Sequence, residues 1–91
     1  MVQVRFTRHL SRYFPDLADR EEVSGSTVAE VVAALDDRHP GLGAYIVDER
    51  GSLRRHVNIF LGQEMVHDRM NLLDPVKDGD QLYIFQALSG G

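Results

Sequence analysis

The chain has no cysteine, no tryptophan and only 3 prolines in 91 residues, and its formal net charge is −4. Without cysteine, disulfides, thiolate catalysis, iron–sulfur clusters and cysteine zinc sites are all excluded. No apolar run approaches the roughly 18 residues that a membrane span needs. The negative charge argues against nucleic-acid binding, which requires a basic face, and suits a protein partner with a basic surface.

The N-terminus lacks the features of a targeting signal. Residues 1–6 alternate like a strand and have neither the basic region nor the apolar region of a signal peptide. We therefore expect a cytoplasmic protein. The length suits one domain with a single modest core, so the sequence predicts one site and no division of labour between domains.

Strand-type alternation opens the chain. Val2, Val4 and Phe6 alternate with polar residues, which predicts a half-buried strand. Residues 7–19 show no clean period, and a second short strand is predicted over 20–23. These segments predict an opening hairpin with a long, irregular connection.

The main helix is predicted over 28–38. Thr27 and Glu30 make a capping box, and valines and a leucine recur behind them at helical spacing. His39 precedes Pro40, which disfavours the helical conformation and marks the end of the helix. The apolar stripe of this helix should pack on a sheet.

The remaining elements are predicted to be strands and turns. Residues 41–47 suit a short strand or a turn, 57–61 a central strand, 65–66 a brief return and 81–85 a last strand. Gly62 can take the positive φ that a turn after the central strand needs. The order favours an α+β domain in which one main helix crosses one face of a mixed sheet.

Side-chain chemistry offers no catalytic centre. No metal-ligand spacing links the histidines, which we interpret as surface or turn residues: His9, His39, His56 and His67. The paired carboxylates are interpreted as solvated charge in loops or on an exposed helix face: Glu21-Glu22, Asp36-Asp37 and Asp48-Glu49. An independent enzyme is therefore the weakest hypothesis.

Two glycines end the chain, after a stretch without helix or strand pattern. We predict a domain over 1–86 and a flexible tail over 87–91, which if extended would reach roughly 17 Å. Lacking side chains, Gly90 and Gly91 can thread a narrow channel in another protein. Once adenylated, the terminal carboxylate can react with a sulfur donor, which displaces AMP to give a thiocarboxylate. The alternative is that so short a motif is only a frayed end.

Several segments recur in an order and spacing that span most of the chain: TVAEV at 27–31, HPGL at 39–42, VNIFL at 57–61, VKDGD at 76–80 and SGG at 89–91. Together they resemble the MoaD/ThiS family of ubiquitin-like sulfur carriers, which have a β-grasp fold. The resemblance implies that Gly91 is adenylated by an ATP-dependent activating enzyme and converted to the thiocarboxylate. The chain would then be a carrier that performs no catalysis and needs no cofactor.

The resemblance also implies a docking surface. In the family, an aromatic residue at the end of the last strand helps to dock the activating and acceptor enzymes, and Phe85 has the matching position. Alternation along the strands independently turns Tyr83, Phe85 and Phe60 outward. The predicted partner-binding residues, and the tail that follows them, are Phe60, Tyr83, Phe85 and Leu88, then Ser89 and Gly90. The alternative is that a loop or Leu88 covers part of this set.

The acceptor implied by the family is an enzyme such as the molybdopterin synthase large subunit, thiazole synthase or a cysteine synthase. Many members carry Pro-Pro where this chain has Gln86-Ala87, so the tail should be less stiff. The polar loop containing residues 54–56 looks longer than in compact molybdopterin-synthase small subunits. It is more similar to variants that serve cysteine synthesis or to members of unassigned pathway. Arg54 and Arg55 are either a partner contact or solvated loop residues.

Two other functions remain open from the sequence. The chain could be a protein modifier that forms isopeptide bonds from Gly91 to target lysines, which requires the same adenylate. It could also be a plain β-grasp binding module with an incidental tail. Deleting Gly90 and Gly91 would leave every interaction of such a module intact.

Overall fold

The structure, a computed structural model, describes residues 1–86, without the side chains of residues 8, 9 and 11. The elements in chain order are β1 (Val2–Phe6), α1 (Arg8–Tyr13), β2 (Arg20–Val23), α2 (Val28–Arg38), α3 (Leu42–Ile46), β3 (Val57–Leu61), β4 (Glu64–Met65) and β5 (Gln81–Gln86). The predicted strands at 2–6, 20–23 and 57–61 are confirmed, as is the helix at 28–38.

The strands form one mixed sheet in the order β2-β1-β5-β3-β4. The central pair β1 and β5 is parallel, with Val4 opposite Leu82, and the other pairs are antiparallel. Since a parallel pair needs a crossover, the chain between β1 and β5 must pass across one face of the sheet. Helix α2 lies in that crossover.

Helix α2 begins where the capping box predicted. The Glu30 amide donates to Thr27 Oγ1 at 3.2 Å, while the Glu30 carboxylate accepts from the Ser26 amide at 2.8 Å. The apolar stripe of the helix is buried: Val28, Val31, Val32 and Leu35. It belongs to one core with the inward-facing strand residues Val2, Val4, Val23, Val57, Ile59, Leu82 and Ile84. Burying each such side chain contributes about 1.5–3 kcal/mol.

Two short helices were not predicted. The connection over residues 7–19 contains α1, whose Leu10 is buried in the core. Residues 41–47, predicted to be a short strand or a turn, contain α3. Gly41, at φ 98°, turns the chain out of α2, and the Asp36 carboxylate accepts from the Gly41 and Gly43 amides at 3.1 and 2.9 Å. This side-chain cap from the preceding helix compensates for a helix of one turn, too short to persist alone.

The resulting architecture is a five-stranded mixed sheet with one main helix across one face and two short helices beside it. The predicted α+β class and β-grasp arrangement are confirmed. The proposed tail, residues 87–91, lies outside the described residues. The site therefore has to be built from the sheet end that leads into it.

Candidate functional site

Strand β5 carries the chain to the end of the described structure. Its last residue, Gln86, pairs with Val57 at the start of β3. We call this end of the sheet, where β5 finishes, the tail end. The predicted site residues that follow it lie outside the described part of the chain: Leu88, Ser89, Gly90 and Gly91.

The side chain of Gln86 is hydrogen-bonded to a residue of α3. Tyr45 donates its hydroxyl hydrogen to Gln86 Oε1 at 2.9 Å. The Tyr45 ring packs in turn on Tyr13 and Phe14, with ring centroids 5.5 and 6.2 Å apart. Gln86 is therefore fixed by both its backbone and its side chain. This contact could not be predicted from the sequence, because α3 was not predicted.

Three aromatic residues form a surface on the outer face of the sheet. Phe60 and Tyr83 are opposite each other on β3 and β5, and Phe85 lies 5.3 Å from Phe60 and 5.6 Å from Tyr83 between ring centroids. We call Phe60, Tyr83 and Phe85 the aromatic patch. The structure brings together the three described partner-binding residues that the sequence predicted.

The exposure of the aromatic patch is uneven. Tyr83 is 44% exposed, whereas Phe60 and Phe85 are half-buried because each leans on its neighbours. Met65 of β4, opposite Phe60, is 45% exposed and extends the apolar surface toward the edge of the sheet. A contiguous apolar surface left in water is typical of a protein-binding site.

On the other side of Tyr83, the same row of the sheet becomes basic. Arg5 of β1 is paired with Tyr83, and Arg20 of β2 is paired with Arg5; both arginines are exposed. One cross-strand row thus runs from two arginines through two aromatic rings to a methionine.

Near the start of β3, an open pocket of about 600 Å³ adjoins the aromatic patch. It is lined mainly by basic residues: Arg54, Arg55, His56 and Arg69, with Asp48, Leu53 and Asn58. Asn58 connects the two surfaces, since it lies opposite Phe85 and accepts from Arg69 Nη1 at 2.8 Å. Arg54 and Arg55, for which the sequence left two interpretations open, therefore lie beside the tail end.

One interpretation of the carboxylates was wrong. Glu21 is 7% exposed, because β2 alternation turns it inward with Val23. It accepts from the Ala18 amide at 2.9 Å and from Arg38 at 2.8 Å, and lies 3.2 Å from His39 Nε2 without an aligned hydrogen bond. Burial raises the pKa of the Glu21 carboxyl, but these donors outweigh it, and the net pKa lies below its ordinary value.

We call Glu21, Arg38 and His39 the Glu21 cluster. It joins β2 to the end of α2, away from the aromatic patch, and stabilises the fold. Among the described residues, no group of three histidine or acidic side chains could hold a metal ion. None of the helices within residues 1–86 is long and apolar enough to cross a membrane. The surface around the tail end is therefore the best candidate site.

Comparison with known proteins gives one family. The family model described as "ThiS family" matches residues 6–91. The sulfur carrier protein CysO of Mycobacterium tuberculosis is 33% identical over 70 residues, which cover 75% of each protein. The small archaeal modifier protein 3 of Haloferax volcanii is 30% identical over 67 residues, covering 72% of this chain and 71% of that protein.

The fold has a counterpart among solved structures. A chain of the Amycolatopsis orientalis BexX/CysO complex superposes with a TM-score of 0.86 and 33% identity, covering 100% of both chains. The match therefore includes every element described above, and both short helices fall within it.

Proposed function

The chain belongs to the ThiS family, and from this premise we propose that it is a sulfur carrier whose C-terminal Gly91 is adenylated and then converted to a thiocarboxylate. The family resemblance seen in the sequence is thereby confirmed. The observation that supports the proposal most is the aromatic patch at the sheet end from which the chain continues toward Gly91. A partner that docks there would receive the tail in its own active site.

The chemistry needs a C-terminal carboxylate that can be activated and a tail that can enter a narrow channel. A free carboxylate is a poor electrophile, and adenylation supplies a leaving group that sulfide can displace. Glycine at the last two positions lets the backbone enter a narrow channel without steric conflict. Since the chain has no cysteine, a terminal thiocarboxylate would be its only anionic sulfur nucleophile.

The partners we propose are an ATP-dependent activating enzyme and a sulfur-acceptor enzyme. The product pathway is of molybdopterin, thiamine or cysteine type. The likeness to CysO proteins favours the cysteine type. The acceptor would be expected to contact the aromatic patch as well, because it must receive the same tail.

Intact-mass spectrometry tests the proposal. The full chain is incubated with ATP, sulfide and a candidate activating enzyme, beside a variant that lacks Gly91. We expect a gain of about 16 Da, from one oxygen replaced by sulfur, in the full chain only. An unchanged mass with the cognate activating enzyme would contradict the proposal and leave the plain binding module.

The same assay tests the aromatic patch. Tyr83→Ala removes the most exposed ring of the aromatic patch and should raise the carrier concentration needed for half-maximal loading by about tenfold, as for a contact in an interface centre. Met70→Ala is the matched control, because Met70 is 70% exposed and lies outside the patch. Equal loading of the two variants would show that the patch does not dock the activating enzyme.

A second function is favoured by the likeness to the Haloferax small archaeal modifier protein 3. A modifier would use the same adenylate to form isopeptide bonds to lysines. Cellular adducts whose lysines carry the C-terminal peptide of this chain would favour the modifier. A thiocarboxylate that disappears when a small-molecule acceptor is added would favour the carrier.

A further inference from the structure

The two ends of the sheet differ in charge, although Asp19, directly before Arg20, is an exposed acidic residue at the tail end. At the tail end, Arg5 and Arg20 are paired on β1 and β2, and Arg54 and Arg55 precede β3. The opposite end holds exposed or half-buried acidic residues and one lysine: Glu22, Glu64, Asp78, Asp80 and Lys77. The net charge of −4 therefore conceals a basic surface around the origin of the tail.

We call five residues the arginine surface: Arg5, Arg20, Arg54, Arg55 and Arg69. Among the side chains that the structure describes, none of these five arginines forms an ion pair with a carboxylate, whereas Arg38 pairs with Glu21. Asp48 lines the same pocket, but its carboxylate accepts from the Arg50 and Ser52 amides at 2.9 and 3.1 Å. The charge of Arg54 also contributes, after these two amides, to the lowered pKa of Asp48, so Arg54 shares its charge with that carboxylate. The other four arginines keep their charge available.

Two of these arginines are held in place by the backbone. Arg54 Nε donates to the Ala44 carbonyl at 2.8 Å, and Arg69 Nη2 donates to the Arg54 and Val57 carbonyls at 3.0 Å each. Neutral acceptors fix these guanidinium groups without cancelling their charge. Ordering a side chain before binding reduces the entropy lost in the complex.

The arginine surface is continuous with the aromatic patch on two sides. Arg5 is the cross-strand neighbour of Tyr83, and Arg69 contacts Asn58, which lies opposite Phe85. Apolar rings surrounded by charge are the usual composition of a protein interface, with an apolar centre and a polar rim.

We propose that the arginine surface docks an acidic surface of the enzyme that adenylates Gly91. This inference rests on the proposed function. From the composition alone we expected a partner with a basic surface, and the arginine surface instead requires an acidic one. Complementary charge raises the rate of encounter and sets the orientation of the complex. Here it would bring the tail end of the sheet, and not the acidic end, toward the enzyme.

An acidic protein is a better match than a nucleic acid. The aromatic patch occupies the middle of the surface, and β5 carries the chain on toward Gly91 from the same end of the sheet, so a protein that receives the tail has to bind here. A single-stranded nucleic acid that competes with the enzyme for the arginine surface, and binds it more tightly, would overturn this choice.

Charge reversal tests the inference in the loading reaction. Arg5→Glu and Arg55→Glu each change an exposed residue on one side of the aromatic patch, and Lys77→Glu makes the same change of charge at the opposite end. We expect kcat/KM for adenylation to fall about tenfold for each arginine variant at low salt, and the loss to shrink at high salt. The Lys77 variant should stay within about twofold of the unmodified chain.

A second measurement does not require the enzyme. Hexaglutamate is titrated into the ¹⁵N-labelled full chain, and amide shifts are recorded at low and high salt. Salt-sensitive changes concentrated at residues 5, 20 and 54–56 support the inference, whereas changes spread over both sheet ends overturn it. If no enzyme loads the unmodified chain, the proposed function fails, but the titration still decides whether this surface selects acidic chains. Loading that is unaffected by Arg5→Glu and Arg55→Glu overturns the inference and leaves the proposed function standing.

Discussion

The carboxylate of Glu21 lies between β2 and the end of α2, surrounded by one backbone amide, one arginine and one histidine. Burying a charge is costly unless hydrogen bonds and opposite charge replace the lost water. Here the donors overcompensate, because the net pKa of Glu21 lies below its ordinary value of 4.5. The charged form is thus the one that stabilises the fold.

We predict that Glu21→Gln lowers the free energy of unfolding at neutral pH by about 1–2 kcal/mol, because a charged acceptor is lost. A lowered folded-state pKa contributes stability above the unfolded pKa, and this contribution is lost as the pH falls through the folded-state value. The difference between the variant and the unmodified chain should therefore shrink below about pH 4. Thermal melts from pH 7 to pH 3 measure it.

Glu22→Gln is the matched control, since Glu22 is exposed on the opposite face of the same strand. It should change the melting temperature little at any pH. An equal effect of both variants, or a difference that does not depend on pH, would contradict the role given to the Glu21 cluster.

The sequence was enough to predict the burial of Glu21 but not its hydrogen-bond partners. Alternation from Val23 places Glu21 on the inner face, so its burial followed from the predicted strand. The hydrogen-bond partners of Glu21 could not be predicted from this strand. Arg38 is 17 residues away in sequence, and it contacts Glu21 only because α2 crosses the sheet. The aromatic patch was predictable because its members alternate with core residues on two strands already recognised.

At the scale of elements, α3 depends on a residue that lies outside it. The Asp36 carboxylate, in the last turns of α2, accepts from the amides of Gly41 and Gly43 at the beginning of α3. A Cβ on Gly43 would lie 2.9 Å from Asp36 Oδ1, so the glycine permits this close approach. Since Tyr45 on α3 holds Gln86, the cap also supports the tail end of the sheet.

We predict that Asp36→Ala destabilises the chain by about 1–2 kcal/mol, because two amides lose their acceptor. Asp37→Ala is the matched control, since it makes the same change of charge and helix propensity one residue later on the exposed side of α2. It should cost less than about 0.5 kcal/mol. Urea denaturation measures both, and equal midpoints would show that the Asp36 cap contributes nothing.

The elements predicted from sequence were those with a local signature. Helix α2 had both a capping box and a proline stop, and the strands had alternation. Helices α1 and α3 have 6 and 5 residues, too few for a helical period to be recognised. Residues 41–47 were predicted to be a short strand or a turn, and the Asp36 cap that stabilises α3 is a tertiary contact.

At the scale of the whole molecule, the parallel pairing of β1 with β5 places the beginning and the end of the domain side by side. Charge then differs between the two ends of the sheet, with the arginine surface at the tail end. The composition could not predict this difference between the two ends, because net charge does not show which residues the strand pairing places together. The pairing of Arg5 with Tyr83 combines residues almost 80 positions apart, and only the family resemblance indicated such an arrangement.

The most direct test of the central claim is the mass of the chain purified from its own cells under alkylating conditions. Because the chain has no cysteine, a thiol-selective alkylating reagent should label it only at a thiocarboxylate. We predict that a fraction of the molecules carries one such label on the C-terminal peptide, and that deletion of Gly91 abolishes it. A chain whose C-terminus is always an unlabelled carboxylate, or is found only in isopeptide linkage to other proteins, would contradict the carrier function.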